Sequence, residues 1–193
     1  EISMIHPRFF KEVFQDEIYK PAMDWAQNHP DGIILDVGAT TGEFSLWISK
    51  YTEMVYAIEP AKELFSHLSE NVNGLPKIQA FNLALSDTNE DCWLGGNVMV
   101  GGAKLVRGKG DELVRSRTLS TFMKENAIHE IEILKVDIEG GERELFGSSD
   151  FPVSKVKFII GEHLPEIKNL LEKLGFSLES YRWGMVGKYE SKA

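Results

Sequence analysis

The chain has 193 residues, enough for one domain with a full core and too few for two ordinary ones. Apolar residues make up 42% and charged residues 26%, the balance of a soluble globular protein. A net charge of −9 disfavours a nucleic-acid partner, whose phosphates want a basic face, and a single cysteine, Cys92, excludes an internal disulfide framework and a multi-thiolate metal site.

In chain order, residues 7–28 are expected to form an amphipathic helical brace or lid, with Phe9, Phe10, Val13, Phe14, Ile18, Ala22, Met23, Trp25 and Ala26 on its apolar face. It is broken near Pro21 and closed by His29-Pro30-Asp31-Gly32. The near-continuous apolar run Ile33-Ile34-Leu35-Asp36-Val37 predicts a strand buried on both faces. Gly38 and Gly42 then permit a tight turn, and Phe44, Trp47, Ile48 and Tyr51 share one face of a following helix. Strand, glycine turn (through Ala39 and Thr40) and helix N-terminus together make a ligand seat, with free N–H groups expected to point out of it. Val55 to Ile58 reads as a second strand ending at Glu59-Pro60. The next helix carries Leu64, Phe65, Leu68 and Val72 and stops at Gly74, and Ile78 to Leu83 is a third strand.

This alternation predicts an α/β fold with a doubly wound, mostly parallel sheet. Residues 84–117 break the pattern and read as an antiparallel excursion. Within it the glycine-rich stretch 95–111, carrying Lys104, Arg107 and Lys109, is a candidate lid over an acceptor. Thr118 to Asn126 resumes as a helix, Glu132 to Val136 as a strand ending at Asp137, and Val156 to Ile160 as a strand ending at Gly161-Glu162-His163. A helix with Ile167, Leu170, Leu171 and Leu174 follows. Phe176 to Tyr181 and Met185 to Tyr189 then form a hairpin turning through Arg182-Trp183-Gly184, which forces at least one antiparallel strand. The whole chain reads as a single domain, residues 31–193 forming the core behind a brace at 1–30.

In open α/β sheets a ligand lies at the carboxyl ends of the strands. Gly38 to Gly42, Glu59, Asn82-Leu83-Ala84, Asp137 to Gly141 and Glu162-His163 all fall there. Glu59 stands at the interval past Gly38 where a carboxylate can accept bonds from ribose hydroxyls, so a nucleoside is the natural occupant. A nicotinamide dinucleotide would want a middle glycine where Thr40 stands, which counts against an NAD-dependent oxidoreductase. A nucleoside ligand without phosphate, such as S-adenosylmethionine, needs less backbone approach.

The motifs DVGATTGEFSLW, YAIEP, LALSD, RTLSTF, LKVDIEGGERELF and FIIGEH, in this order and spacing, resemble the FkbM family of S-adenosylmethionine-dependent methyltransferases. The resemblance runs from about Ile33 to His163, and the terminal hairpin suits the Rossmann-like, class I methyltransferase fold. One departure is Thr40, where the family usually has asparagine. The resemblance implies Asp36 and Gly38 beside the methionine moiety of the cofactor, Glu59 on the ribose diol, Asn82 to Ala84 bordering adenine, and Asp137 facing cofactor and acceptor. It also implies O-methylation, with a hydroxylated small molecule such as a sugar as acceptor.

Methyl transfer from a sulfonium is an in-line displacement dominated by positioning, and a hydroxyl acceptor must lose a proton. His163 is the candidate base by type, with Asp137, Glu139 and Glu142 as carboxylate alternatives; Glu142 and Glu144 also complement a helix dipole. A metal site from Asp137, Glu139, Glu162 and His163 is possible on ligand type, but without paired spacing on one element the metal-free reading is preferred. The competing reading is a protein that keeps the fold and cofactor seat without activity. No apolar run is long enough to span a bilayer and no signal peptide is visible, so a soluble, cytoplasmic protein without nucleic-acid or membrane partners is expected. The first residue is Glu1 rather than Met, as expected of a trimmed sequence. The sequence fixes no oligomeric state.

Overall fold

The computed structural model describes residue 13 and residues 18–96, 104–106 and 108–190. Helix α1 (Lys20–Asn28) places Pro21 in its first turn, where a missing N–H costs nothing, so the proline opens this helix. The rest of the expected brace, apart from Val13, lies outside the described residues.

The main chain then alternates. β1 (Ile33–Val37), α2 (Glu43–Ile48), β2 (Met54–Ile58), α3 (Lys62–Val72) and β3 (Ile78–Phe81) form the first half. β4 (Ala84–Leu85), β5 (Cys92–Gly95), β6 (Lys104–Val106), β7 (Glu112–Val114) and β8 (Ser116–Arg117) form the excursion. α4 (Leu119–Glu125), β9 (Ile131–Val136), α5 (Glu142–Gly147), β10 (Val156–Gly161), α6 (Lys168–Leu174), β11 (Phe176–Tyr181) and β12 (Gly184–Tyr189) complete the chain.

The main sheet has seven strands in the order β11-β12-β10-β9-β1-β2-β3. All its pairings are parallel except those of β12, which runs against both β10 and β11. Residues on alternate positions of each strand feed two apolar layers. Leu35, Val37, Ile58 and Leu134 pack with Phe122, Leu145 and Leu171 of α4, α5 and α6. Ile34, Val55, Ala57 and Ile133 pack on the other side with Ala22, Phe44 and Leu68 of α1, α2 and α3. The strand order turns outward in both directions from the β1–β9 pair, so the switch point, where open sheets hold their ligands, lies at the carboxyl ends of β1 and β9.

The third strand is shorter than its apolar run suggests. It ends at Phe81, because the Asn82 amide donates to the carbonyls of Glu59 (3.0 Å) and Pro60 (2.8 Å) and draws the chain out of the sheet. The excursion holds two small sheets: a parallel β4–β8 pair and an antiparallel order β6-β5-β7. Leu94, Leu105 and Val114 of the latter pack on Ala61, Leu64 and Ala84, which seats it beside the end of β2. Residues 97–103 and 107 of the candidate lid lie outside the described residues. Among the described residues, no helix is long and apolar enough to cross a membrane.

Candidate functional site

Two cavities meet at the switch point. The larger is lined by Val37, Gly38, Thr40, Ile58, Glu59, Pro60, Leu83, Ala84, Leu94, Leu105, Asp137 and Glu139, among others, and holds about 780 Å3 counted out into its open mouth. The smaller is lined by Tyr19, Gly38, Ala39, Thr40, Glu43, Lys135, Asp137, Glu139 and Glu162, among others. Gly38, Thr40, Asp137 and Glu139 border both, so the cavities adjoin across them.

The glycine turn is not the anion cradle that its pattern suggests. The N–H groups of Gly38 and Ala39 both donate to the Ile58 carbonyl at 3.0 Å, that of Gly42 donates to Ala39, and that of Thr40 donates to Glu59 Oε2 at 3.0 Å. Glu43, buried in the first turn of α2, accepts hydrogen bonds from the hydroxyls of Thr40 and Thr41. A carboxylate thus occupies the helix end where a pyrophosphate would sit. The closeness of the turn to β9 is real: Gly38 has φ +79°, and a Cβ there would overlap the Asp137 backbone carbonyl. Thr40 has φ +49°, a left-handed conformation that is strained for a β-branched residue and easy for asparagine.

Glu59 is 5% exposed, and its two oxygens each accept one backbone N–H, from Thr40 and from Ala61 (2.9 Å). Each oxygen keeps a lone pair for a ligand. Burial raises its carboxyl to about 7, even against those two hydrogen bonds and the charge of Lys135. Leu83 and Ala84 line the same cleft, whereas the Asn82 side chain is spent on the carbonyls that bend the chain. Gly42 caps α2 at φ +98° and lines neither cavity.

Asp36 lies beneath the turn and is fully buried. It accepts from Ser45 Oγ at 2.7 Å and pairs with Lys135 Nζ at 3.0 Å, and it lines neither cavity. Lys135 was not among the residues singled out in the sequence. Its ammonium, almost wholly buried, also donates to the Gly38 carbonyl at 2.8 Å, lies 4.0 Å from Asp137 Oδ2, and sits over the Tyr19 ring. Burial pulls its pKa down, but Asp36 and Asp137 outweigh that and hold it raised. Tyr19 is a second unanticipated member, its hydroxyl donating to Asp137 Oδ2 at 3.4 Å. Burial and then Asp137 keep that phenol protonated well above its ordinary range. The signal for Lys135 was available: a lone cation in an apolar strand needs a buried anion, and Asp36 is its direct register partner.

The candidate catalytic residues come together. Asp137 and Glu139 follow β9, and His163 follows β10. His163 Nε2 lies 3.9 Å from Glu139 Oε2, and its Nδ1 lies 3.2 Å from Glu166 Oε1. Partial burial lowers the imidazole pKa, but the Glu166 bond and the charges of Glu142, Asp137 and Glu139 more than offset it and leave it raised above the usual imidazole value. Glu139 is raised by burial and then by Asp137. Glu142 lines neither cavity: it is buried and accepts the Ile138 N–H at 3.2 Å.

The arrangement fits the nucleoside of S-adenosylmethionine. Apolar walls flank a buried carboxylate with spare lone pairs, and no N–H cradle is offered to a pyrophosphate. A family model described as the methyltransferase FkbM domain matches residues 36–178. The antimetabolite synthetase AmbE of Pseudomonas aeruginosa is 26% identical over 79% of this chain and 9% of its own length. The 2-O-methyltransferase NoeI of Sinorhizobium fredii is 22% identical over 69% of this chain and 64% of its own. The chain therefore spans less than two thirds of either relative. Among solved structures, a Streptococcus pneumoniae protein described as a putative tRNA (m1A22) methyltransferase, in complex with S-adenosylmethionine, superposes with a TM-score of 0.55 at 14% identity, covering 98% of this chain and 76% of that one.

Proposed function

The chain belongs to the FkbM methyltransferase family and is an S-adenosylmethionine-dependent enzyme of the Rossmann-like class I fold, and from that premise we propose that it methylates a hydroxyl oxygen of a small molecule such as a sugar. The observation that carries this reading is the sharing of Asp137 and Glu139 between the two cavities, with His163 beside them. A donor held in the larger cavity and an acceptor in the smaller would meet at these groups. NoeI, named for a 2-O transfer, agrees with an oxygen acceptor.

Bound S-adenosylmethionine would supply an electrophilic methyl on sulfur. Glu59 receives the ribose diol on its two spare lone pairs, while Leu83 and Ala84 border the base. Leu94 and Leu105 close that cleft, so the excursion covers the nucleoside. Asp137, Glu139 and His163 would orient the hydroxyl and assist the loss of its proton, while the bound cofactor would supply the methyl group and retain the electron pair of its sulfur–carbon bond. The carboxylates of the smaller cavity, Asp137, Glu139 and Glu162, repel phosphates and favour a neutral polyhydroxyl acceptor over a nucleic acid.

Calorimetry with S-adenosylhomocysteine and with NAD, followed by turnover on a panel of sugars, phenols and short RNAs, tests the reading. Methyl transfer to an RNA but to no hydroxylated small molecule would overturn it.

A further inference from the structure

The two residues that follow β9 and the one that follows β10 arrive on neighbouring parallel strands, so one end of the sheet delivers all three. Asp137, Glu139 and His163 each bring one ligand atom within 4.8 Å of the other two. The imidazole is held from outside this group. Glu166 takes Nδ1 at 3.2 Å, which leaves Nε2 turned toward Glu139. A carboxylate on the far nitrogen is what fixes metal-binding histidines and raises their basicity. Asp137 is braced from outside as well, its Oδ2 engaged by Tyr19 and Lys135. Lys135, the cation lining the same cavity, is already paired with Asp36, while Glu162 adds a further negative charge there.

We propose that Asp137, Glu139 and His163 form a binding site for one divalent transition ion of the Mn2+ type. The imidazole points to a transition ion rather than Mg2+ or Ca2+, whose sets are all oxygen, and the two carboxylates point to the hard, Mn2+ end of that series. Three protein ligands leave positions open, as catalytic sites require. Asp137 and Glu139 border both cavities, so the open positions face the place where donor and acceptor meet. Resting on the O-methylation reading, the acceptor hydroxyl takes one of them, and its proton becomes more acidic on the ion. The three side chains then act on the hydroxyl through the ion. The oxygen–carbon bond forms, the sulfur–carbon pair returns to sulfur and the proton leaves to water, with no change in the ion's oxidation state.

The test is a Mn2+ titration of the full chain after dialysis against a chelator, followed by the electron paramagnetic resonance of free Mn2+ in the presence of S-adenosylhomocysteine. Saturable binding of one equivalent is expected, weakened at least tenfold in Glu139→Ala and His163→Ala. Glu166→Gln, whose side chain is largely exposed and whose loss should spare the fold, is expected to weaken it roughly 10- to 100-fold. Circular dichroism establishes that each variant is folded. Absence of saturable binding, or an affinity unaltered in Glu139→Ala and Glu166→Gln, overturns the site. Turnover that stops on chelation and returns with Mn2+ supports the ion's role, and turnover undiminished after chelation overturns that role. Intact Mn2+ binding without methylation of any hydroxylated acceptor upholds the site and refutes the O-methylation reading instead.

Discussion

Glu59→Gln separates the folding role of a buried carboxylate from the cofactor role proposed for it by their pH dependence. The wild-type carboxyl titrates at about 7 in the folded state against an ordinary value of 4.5. A folded pKa above the unfolded one gives stability that is present below pH 4.5 and lost as pH rises through about 7. At 1.36 kcal/mol per unit, and with the side chain only 5% exposed, the loss is on the order of 3 kcal/mol. The glutamine cannot titrate, so its stability relative to wild type should rise by that amount between pH 4.5 and 8. Its amide must, however, turn an NH2 toward either the Thr40 or the Ala61 N–H, leaving one buried donor unsatisfied at a pH-independent cost of about 1–3 kcal/mol. For the cofactor the sign reverses. The ribose hydroxyls need an ionised acceptor, so wild-type affinity should rise with pH up to about 7, approaching tenfold per unit well below it. The variant should bind more weakly by about 1–3 kcal/mol at pH 8 and show no such slope. Urea unfolding at pH 5, 6, 7 and 8, with calorimetry on S-adenosylhomocysteine at each pH, measures both. Parallel stability curves for the two proteins, or a flat wild-type affinity, would refute the reasoning.

Other outcomes follow from single contacts. Thr40→Asn should stabilise the chain by about 1 kcal/mol and raise Tm by roughly 2–4 °C, because asparagine tolerates the left-handed φ of +49°; a scanning calorimeter decides it. Gly38→Ala places a Cβ on the Asp137 carbonyl at φ +79°, so it should cost more than the about 1–2 kcal/mol of the backbone conformation alone and abolish cofactor binding, read by urea titration and calorimetry. Lys135→Met leaves Asp36 buried without its cation and should destabilise by about 3–5 kcal/mol in urea unfolding at pH 7. Because Leu94 and Leu105 line the Glu59 cleft, hydrogen exchange at residues 104–106 should slow with S-adenosylhomocysteine alone; protection requiring an acceptor would return the excursion to the role of an acceptor lid.

Much of this architecture could be read from the sequence because apolar period and position agree. Ile33 to Val37, Val55 to Ile58 and Val156 to Ile160 are runs that only a sheet covered on both faces can bury, and each is followed within two residues by one that borders the site, Gly38, Glu59 and Glu162. What escaped was set by competition for hydrogen bonds. Glycine spacing announces a tight turn, but it cannot tell whether the turn's N–H groups face a ligand or, as here, fold back onto Ile58, Ala39 and Glu59. Nor does spacing show that Asn82 would use its amide on two carbonyls and end β3 early.

Charge inside the apolar strands was the more informative irregularity. Asp36 and Lys135 each interrupt a strand that is otherwise built for burial, and each alone would carry a desolvation cost that no packing offsets. Placed on adjacent parallel strands in direct register, they neutralise one another, and the ammonium has reach left over for the Gly38 carbonyl and the Asp137 carboxylate. One buried cation thereby ties the end of β1 to the end of β9, the two strands that diverge at the switch point. The glycine turn and the Asp137 carboxylate, which both border the two cavities, are held in a fixed relation by a lysine that itself lines the smaller one. A conservative Lys135→Arg exchange therefore tests geometry rather than charge. The guanidinium keeps the cation but is planar and bulkier, so it cannot meet Asp36, Gly38 and Asp137 as a point charge does. Stability should be lost in part, and kcat should fall more than cofactor affinity, because the two cavities would no longer align. Equal loss of both, or of neither, would show that the lysine serves the fold alone.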